Sequence, residues 1–202
     1  MVGVGGRTDA LWSGTKPAWF PDEFLWAVGC HYRGLPERSG PVRNVWSANM
    51  AVRRDQFLAS GGFLSGFGKV GTVSRPEDTE FCLRYAAALG GTWWYQVEAL
   101  NGHRIGVGRE SFGFFARRCW AEGQGKAELS AIATSGDALT SERAYLLHAL
   151  PAGVARGVRD AVAGPDRTGL VRSGAIVVGA GATGAGLVAS RVRAAIRRRT
   201  AG

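Results

Sequence analysis

Apolar and polar positions along the 202-residue chain fall into short blocks punctuated by glycine and proline. Met1 to Gly6 (MVGVGG) reads as the end of an interior strand running into a loop, so the chain is expected to begin inside a larger fold. Residues 8–22, with Pro17 and Pro21 framing Trp19 and Phe20, read as loop. Phe24 to Tyr32 (FLWAVGCHY) and Val45 to Val52 (VWSANMAV) are short apolar runs of the kind that form buried strands. Arg54 to Ser60 suits a short helix stopped by Gly61-Gly62, and Gly61 to Gly71 a glycine-rich loop. Pro76 to Leu89 carries full helical signals. Ser74 is available as a cap and Pro76 sits in the first turn, while Glu77, Asp78 and Glu80 match the positive end of the helix dipole. Phe81, Leu83, Tyr85 and Ala88 supply an apolar face, and Gly90-Gly91 ends it. Thr92 to Val97 (TWWYQV) is strand-like in its aromatic and β-branched content. Ser111 to Ala121, Lys126 to Ala133 and Ser141 to Leu150 read as helices, the last with Ser141 as cap. Strands alternating with helices indicate an α/β fold.

Composition changes at Pro151 to alanine, glycine, valine and arginine, which divides the chain into a body, 1–150, and a basic helical tail, 151–202. The body holds 16 Lys/Arg and 14 Asp/Glu, a balance of +2, whereas the tail holds 9 Arg and 2 acids, a balance of +7. A nucleic-acid groove in the body would need its own basic stripe, so nucleic acid is not expected as a partner. A basic tail suits an anionic membrane surface. Ser173 to Ser190 carries no charge and is flanked by Arg172 and by Arg191, Arg193 and Arg197 to Arg199. Its glycine and alanine gain little from hydrocarbon, so a helix lying on a membrane or on a partner helix is expected rather than a span. Cys30, Cys82 and Cys119 lack zinc-ligand spacing and are expected as reduced cytosolic thiols.

Four segments carry candidate chemistry. Gly179-Ala-Gly181-Ala-Thr-Gly184 matches a dinucleotide fingerprint. The 18 residues after it offer neither a further strand nor an acid for a ribose, so a small-residue helix is the better reading. Glu77-Asp78-Thr79-Glu80 crowds three carboxylates into one helix start, where a fixed carboxylate can accept a proton from a hydroxyl; plain dipole matching is the bland alternative. His103-Arg104 follows an aromatic strand. Arg117-Arg118, near Gly123 and Gly125, suits either a diphosphate clamp or a solvated helix face.

In this order, these segments resemble the C-terminal half of family 2 glycosyltransferases of the GT-A fold. The resemblance covers about residues 1–150. It is carried by Trp19-Phe20-Pro21-Asp22-Glu23-Phe24, Trp26 to Gly34, Arg43-Asn44, Ser47 to Arg54, Gly61-Gly62-Phe63, Glu77 to Glu80, His103-Arg104 and Arg117 to Gly123. It implies a partial GT-A-like mixed sheet flanked by helices, with 1–150 as the acceptor-side half of the domain. It also implies inverting transfer of a sugar from a nucleotide-diphospho-sugar to a lipid-linked or polymeric glycan, with a manganese or magnesium ion. Asp78, with Glu77 beside it, resembles the base that deprotonates the acceptor. Ser47-Ala48-Asn49 resembles the loop bordering the donor sugar, with Ser and Ala in place of glycine. His103 resembles a metal ligand, and Arg117 and Arg118 contacts to the diphosphate. Trp19, Trp26, Trp46, Trp93 and Trp94 offer flat faces on which a sugar ring can stack, Trp26 among the expected binding residues, with core packing as the alternative role. The family's Asp-x-Asp does not occur in these residues. The donor half is therefore expected to be missing, and the chain alone to be weakly active or inactive. The place of action implied is the cytoplasmic face of the plasma membrane, peripherally bound. The rival reading is a non-catalytic carbohydrate-binding or membrane-scaffold protein.

Overall fold

The computed structural model describes residues 1–65, 67–70, 73–74, 76–132, 143–164 and 166–200, with only the backbone of residues 69, 70, 73, 74, 131 and 132. Arg75, the expected caps Ser74 and Ser141, Ala133 at one expected helix end, and residues 66, 71 and 72 of the glycine-rich loop thus lie outside the described residues or side chains.

The central strand, β1 (Gly3–Trp12), is glycine-rich because large side chains close over it. A Cβ on Gly5 would collide with Val45, and one on Gly3 with Trp93. Two short strands, β2 (Gly40–Val42) and β3 (Met50–Val52), flank the sheet. A short helix, α1 (Arg54–Ala59), and a hairpin of β4 (Lys69–Val70) and β5 (Val73–Ser74) lead to α2 (Glu77–Leu89). Then comes the long strand β6 (Trp93–Ile105). The main sheet is mixed, in the order β2-β6-β1-β3, with β1 and β6 parallel and both outer pairs antiparallel. Among the described residues there follow the helices α3 (Phe112–Ile132), α4 (Leu150–Ala163, entered through a π-helical turn at Tyr145–Ala149) and α5 (Gly169–Thr200). The mixed α/β architecture agrees with the pattern of the sequence.

Several local expectations are corrected. Phe24–Tyr32 is not a strand: Asp22–Val28 forms a 3₁₀ helix that ends at Gly29 in the left-handed region, φ 81°. Phe24, Ala27 and Val28 are its buried apolar positions, a helical spacing that an all-apolar run disguises. Ser47–Asn49 is likewise a 3₁₀ turn, leaving only Met50–Val52 as strand. Residues 8–12 belong to β1, and β6 runs on past Val97 to Ile105. The two helices expected over 111–133 are one helix, because Gly123 and Gly125 do not end it.

The core has two parts. Val2, Val45, Phe81, Cys82, Tyr85 and Trp93 pack between α2 and the first half of the sheet. Phe20, Phe24, Val28, Ile105, Phe115 and Ile176 pack between the second half of the sheet and the helices. Full burial of such side chains contributes about 1.5–3 kcal/mol each. Leu150, Ala175 and Ile176 belong to this second cluster, so the glycine-rich tail is docked on the body. Glu23, buried, pairs with Arg156 of α4. Gly123 of α3 faces the Thr183 carbonyl of α5, and Gly186 of α5 faces the Trp120 carbonyl of α3. These helices meet backbone to backbone.

That seam yields a paired prediction. Gly123→Ala, whose Cβ would strike the Thr183 carbonyl, is expected to cost about 1–3 kcal/mol in urea unfolding. Gly184→Ala on the same α5 meets open space and is expected to gain about 0.5–1 kcal/mol. The three thiols give a second test. All are unpaired and buried, and burial pushes Cys30 up to about 11 and Cys82 and Cys119 to about 12. They are expected to resist a thiol reagent at neutral pH until the protein is unfolded, as absorbance of the released chromophore would show.

Candidate functional site

Pro76 precedes α2 and cannot continue a hydrogen-bonded turn backwards, so the helix opens on Glu77, Asp78 and Glu80. The three carboxylates differ in their surroundings. Glu80 is buried and held by Arg84 at 2.7 Å, which also donates to the carbonyls of Ser60 and Gly62; this acid ties α2 to the preceding loop. Glu77 lies against Gly68, whose φ of 89° and lack of a Cβ make room for the carboxylate. Partial burial, and then the charge of Asp78, raise the Glu77 pKa. Asp78 Oδ1 is buried with no hydrogen-bond partner among the described residues. An unsatisfied buried oxygen is costly and invites a donor.

One turn along α2, Cys82 Sγ lies 3.5 Å from the Val45 carbonyl, which brings the Ser47–Asn49 turn beside this helix. The turn is clamped to the sheet. Asn49 Nδ2 donates to the carbonyls of Arg7 (2.9 Å) and Ala99 (2.8 Å), and Asn101 Nδ2 donates to the Ala48 carbonyl (2.8 Å). The clamp sits where the parallel register breaks: Gly6 pairs with Gln96, but Arg7 pairs with Leu100, so Val97–Ala99 bulge out of β6. Beyond the bulge, Thr8 lies beside Asn101 and Ala10 beside His103. Because side chains alternate along a strand, Asn101 and His103 share a face.

His103 Nε2 accepts from the Arg109 guanidinium at 3.3 Å and faces Gly29, where a Cβ would lie 3.7 Å away. His31, two residues past Gly29, donates its backbone N–H to the Thr8 carbonyl and pairs through Nδ1 with the Tyr95 hydroxyl at 2.9 Å. Burial, and then Arg7, lower the His31 pKa below its ordinary 6.5. Among the described residues, Thr8 Oγ1, Asn101 Oδ1 and Glu110 Oε1 are, like Asp78 Oδ1, buried without a hydrogen-bond partner.

Cys82 of α2 thus reaches Val45, just before the Ser47–Asn49 turn, and Asn101 ties that turn to the strand that carries His103. Asp78 and His103 form no hydrogen bond or ion pair with each other among the described residues. The other expected site residues sit in the helical layer. The Trp26 indole N–H donates to the Tyr145 hydroxyl at 3.1 Å, and the Arg118 guanidinium lies 5.7 Å over the Trp26 ring while pairing with Glu122. Arg117 is exposed and lines a surface depression with Trp120, Gln124 and Ala182. Asn101, Arg109, Thr8 and the His31–Tyr95 pair were not read from the sequence. The spacing Asn101-x-His103 marks one strand face, but only once β6 is known to reach Ile105. His103 offers one imidazole ligand, with a cationic guanidinium beside it. No three His, Cys, Asp or Glu side chains gather to hold a metal ion among the described residues.

No protein-family model matches the chain, and no solved structure matches it. Over 126 residues it is 32% identical to the glucosyl-dolichyl phosphate glucuronosyltransferase of Haloferax volcanii. The match covers 62% of this chain and 40% of that protein. The chain is thus similar to part of a glycosyltransferase and spans about two fifths of its length.

The clamp can be tested directly. Asn49→Ala removes two hydrogen bonds and is expected to cost about 1–2 kcal/mol in denaturant unfolding, with faster amide exchange at residues 47–50. The lowered His31 pKa sets a sign for pH. The neutral ring is favoured in the fold, so its contribution is present above pH 6.5 and is lost as pH falls toward and through the depressed value. His31→Gln is expected to flatten that part of the stability–pH curve.

Proposed function

We propose that this chain is the acceptor-side part of a glycosyltransferase that moves a sugar, with inversion, from a nucleotide-diphospho-sugar to a lipid-linked glycan. The proposed place of action is the cytoplasmic face of the plasma membrane. The observation that carries the reading is the 32% identity, over 126 residues, to an enzyme whose name places its sugar transfer on a dolichyl phosphate-linked glucose. The unpaired Asp78 oxygen at the start of α2 supports it from the side of the chemistry.

In this reading, Asp78 accepts the proton of the acceptor hydroxyl as that oxygen attacks the anomeric carbon. The carbon–oxygen bond to the diphosphate breaks on the opposite side. The acceptor hydroxyl supplies the donor that Asp78 Oδ1 lacks, and a base within hydrogen-bond reach of an oriented hydroxyl is what the displacement requires. Glu77 keeps the entrance acidic. The Ser47–Asn49 turn, held by Asn101, would border the sugar through its backbone, since the Asn49 amide is already committed to Arg7 and Ala99. Charge at the leaving diphosphate would be met by Arg117, the exposed member of the arginine pair. A divalent cation would stabilise the leaving diphosphate as a Lewis acid. His103 would give such an ion one imidazole ligand, and the others would come from outside the described residues. The donor half of the enzyme also belongs outside this chain.

With the donor half present, Asp78→Asn is expected to lower kcat for transfer to a lipid-linked acceptor by about 10²–10⁴-fold. It should leave the unfolding midpoint unchanged or raised, because it removes the negative charge from a group whose buried oxygen has no hydrogen-bond partner among the described residues. Radiolabelled sugar transfer and thermal unfolding measure the two. An undiminished kcat would contradict the assignment of the base. Acceptor binding without any transfer by the unsubstituted protein would favour the carbohydrate-binding alternative.

A further inference from the structure

The outer surface of α4 and α5 inverts the usual pattern of a surface helix. In a soluble protein the branched residues of such a helix face the core and the polar ones face water. Here the inward stripe of α5 is small or polar: Gly169, Ser173, Gly179 and Gly186 are buried, with Ile176 the one large exception. The outward stripe holds Val171, Val177, Val178 and Val188, and no charged residue lies between Arg172 and Arg191. Val177 is 61% and Val188 58% exposed. Beside it, α4 and its π-helical entry expose Val162 at 79% and Leu147 at 67%. Both helices therefore present exposed apolar side chains to solvent.

Charge defines what covers this surface. Arg191, Arg193, Arg197, Arg198 and Arg199 are exposed at one end of the apolar stretch, and Arg159 and Arg167 are exposed at the other. The two acids of residues 151–202, Asp160 and Asp166, both pair with Arg172, so no unpaired carboxylate offsets those arginines there. An apolar stripe bracketed by arginines fits a bilayer with anionic headgroups, where valines enter the acyl boundary and guanidinium groups reach phosphates.

Length and composition alone would let α5 cross a membrane. Its packing argues for another geometry. The buried stripe of α5 is seated on α3 at Gly123, and the same stretch of α3 carries the ion pairs of Glu122 with Arg118 and Lys126. Crossing would drag those charges into hydrocarbon or tear the seam apart. We propose that α4 and α5 form a monotopic docking face that lies flat on an anionic bilayer, sunk to the depth of its valines, with the sheet and the Asp78 side held above it. The proposal rests on the membrane part of the functional reading and goes beyond it in naming the face and its orientation.

The test is co-sedimentation of the full chain with phosphatidylcholine vesicles, with and without phosphatidylglycerol. The chain is expected to pellet with the anionic vesicles and to be released by carbonate. The double variant Val177→Glu/Val178→Glu, altered only at exposed positions, is expected to lose at least about tenfold in partitioning. Leu100→Glu, at an exposed position on the sheet, is expected to bind as before. Glutamine at the five terminal arginines should abolish the preference for phosphatidylglycerol. Circular dichroism checks that each variant is folded; Val188→Glu serves if the double variant is not. Unchanged binding of folded valine variants, carbonate-resistant pelleting, or preference for duplex DNA or an acidic protein over vesicles would each overturn the proposal. Transfer to a water-soluble acceptor, assayed with the donor half present, is expected to survive the valine changes. Failure of transfer with vesicle binding intact therefore counts against the functional reading alone.

Discussion

The close approach of α3 and α5 is the constraint on which the rest of the molecule depends. Gly123 and Gly186 let each helix backbone meet a carbonyl of the other, and no larger residue fits at either place. With the helices that near, Gly179 meets the Phe24 ring, and Phe24 anchors the 3₁₀ helix that ends at Gly29. Gly29 in turn faces His103. One line of packing thus connects the tail to the imidazole at the far end of β6. The seam also sets the outer surface: once small residues occupy the inside of α5, its valines have nowhere to go but outward.

The sheet supplies the second half of the arrangement. Parallel pairing of β1 and β6 is interrupted by the Val97–Ala99 bulge, and Asn49 and Asn101 bind across that interruption. A bulge leaves backbone groups without ladder partners, and here the Asn49 side chain takes up the Arg7 and Ala99 carbonyls while Asn101 holds the Ala48 carbonyl of the turn. The result is a fixed turn beside the start of α2. Among the described residues, Asp78, Thr8, Asn101 and Glu110 each keep a buried oxygen without a hydrogen-bond partner. Polar atoms left unsatisfied in a buried place are the mark of a surface built for something that completes them.

Much of this was legible beforehand, for physical reasons. The helix at Glu77–Leu89 announced itself through proline, first-turn acids and terminal glycine, all of them local effects. Mixed alternation of strands and helices gave the fold class. Long-range effects were not legible. A run as uniformly apolar as Phe24–Val28 carries no period by which to tell strand from 3₁₀ helix, and its conformation is decided by packing on Phe115 and Gly179. The gap expected between Ala121 and Lys126 is helical because Gly123 packs on the Thr183 carbonyl, sixty residues on. At the site, the acids and His103 were visible as residue types, whereas Asn101 and Arg109 gain their meaning only from strand register and from the turn that follows β6. Trp26, with its indole N–H bonded to Tyr145 and its ring under Arg118, shows how an aromatic read as a ligand face can be engaged within the fold.

Native-state hydrogen exchange tests the central packing claim most directly. If α5 is an integral layer held by the glycine seam, amides from Ser173 to Leu187 should exchange only through global opening, with the same free energy as those of Trp93 to Tyr95 in β6. Exchange of the α5 amides at a markedly lower free energy than the β6 amides, as for a helix that detaches on its own, would contradict it.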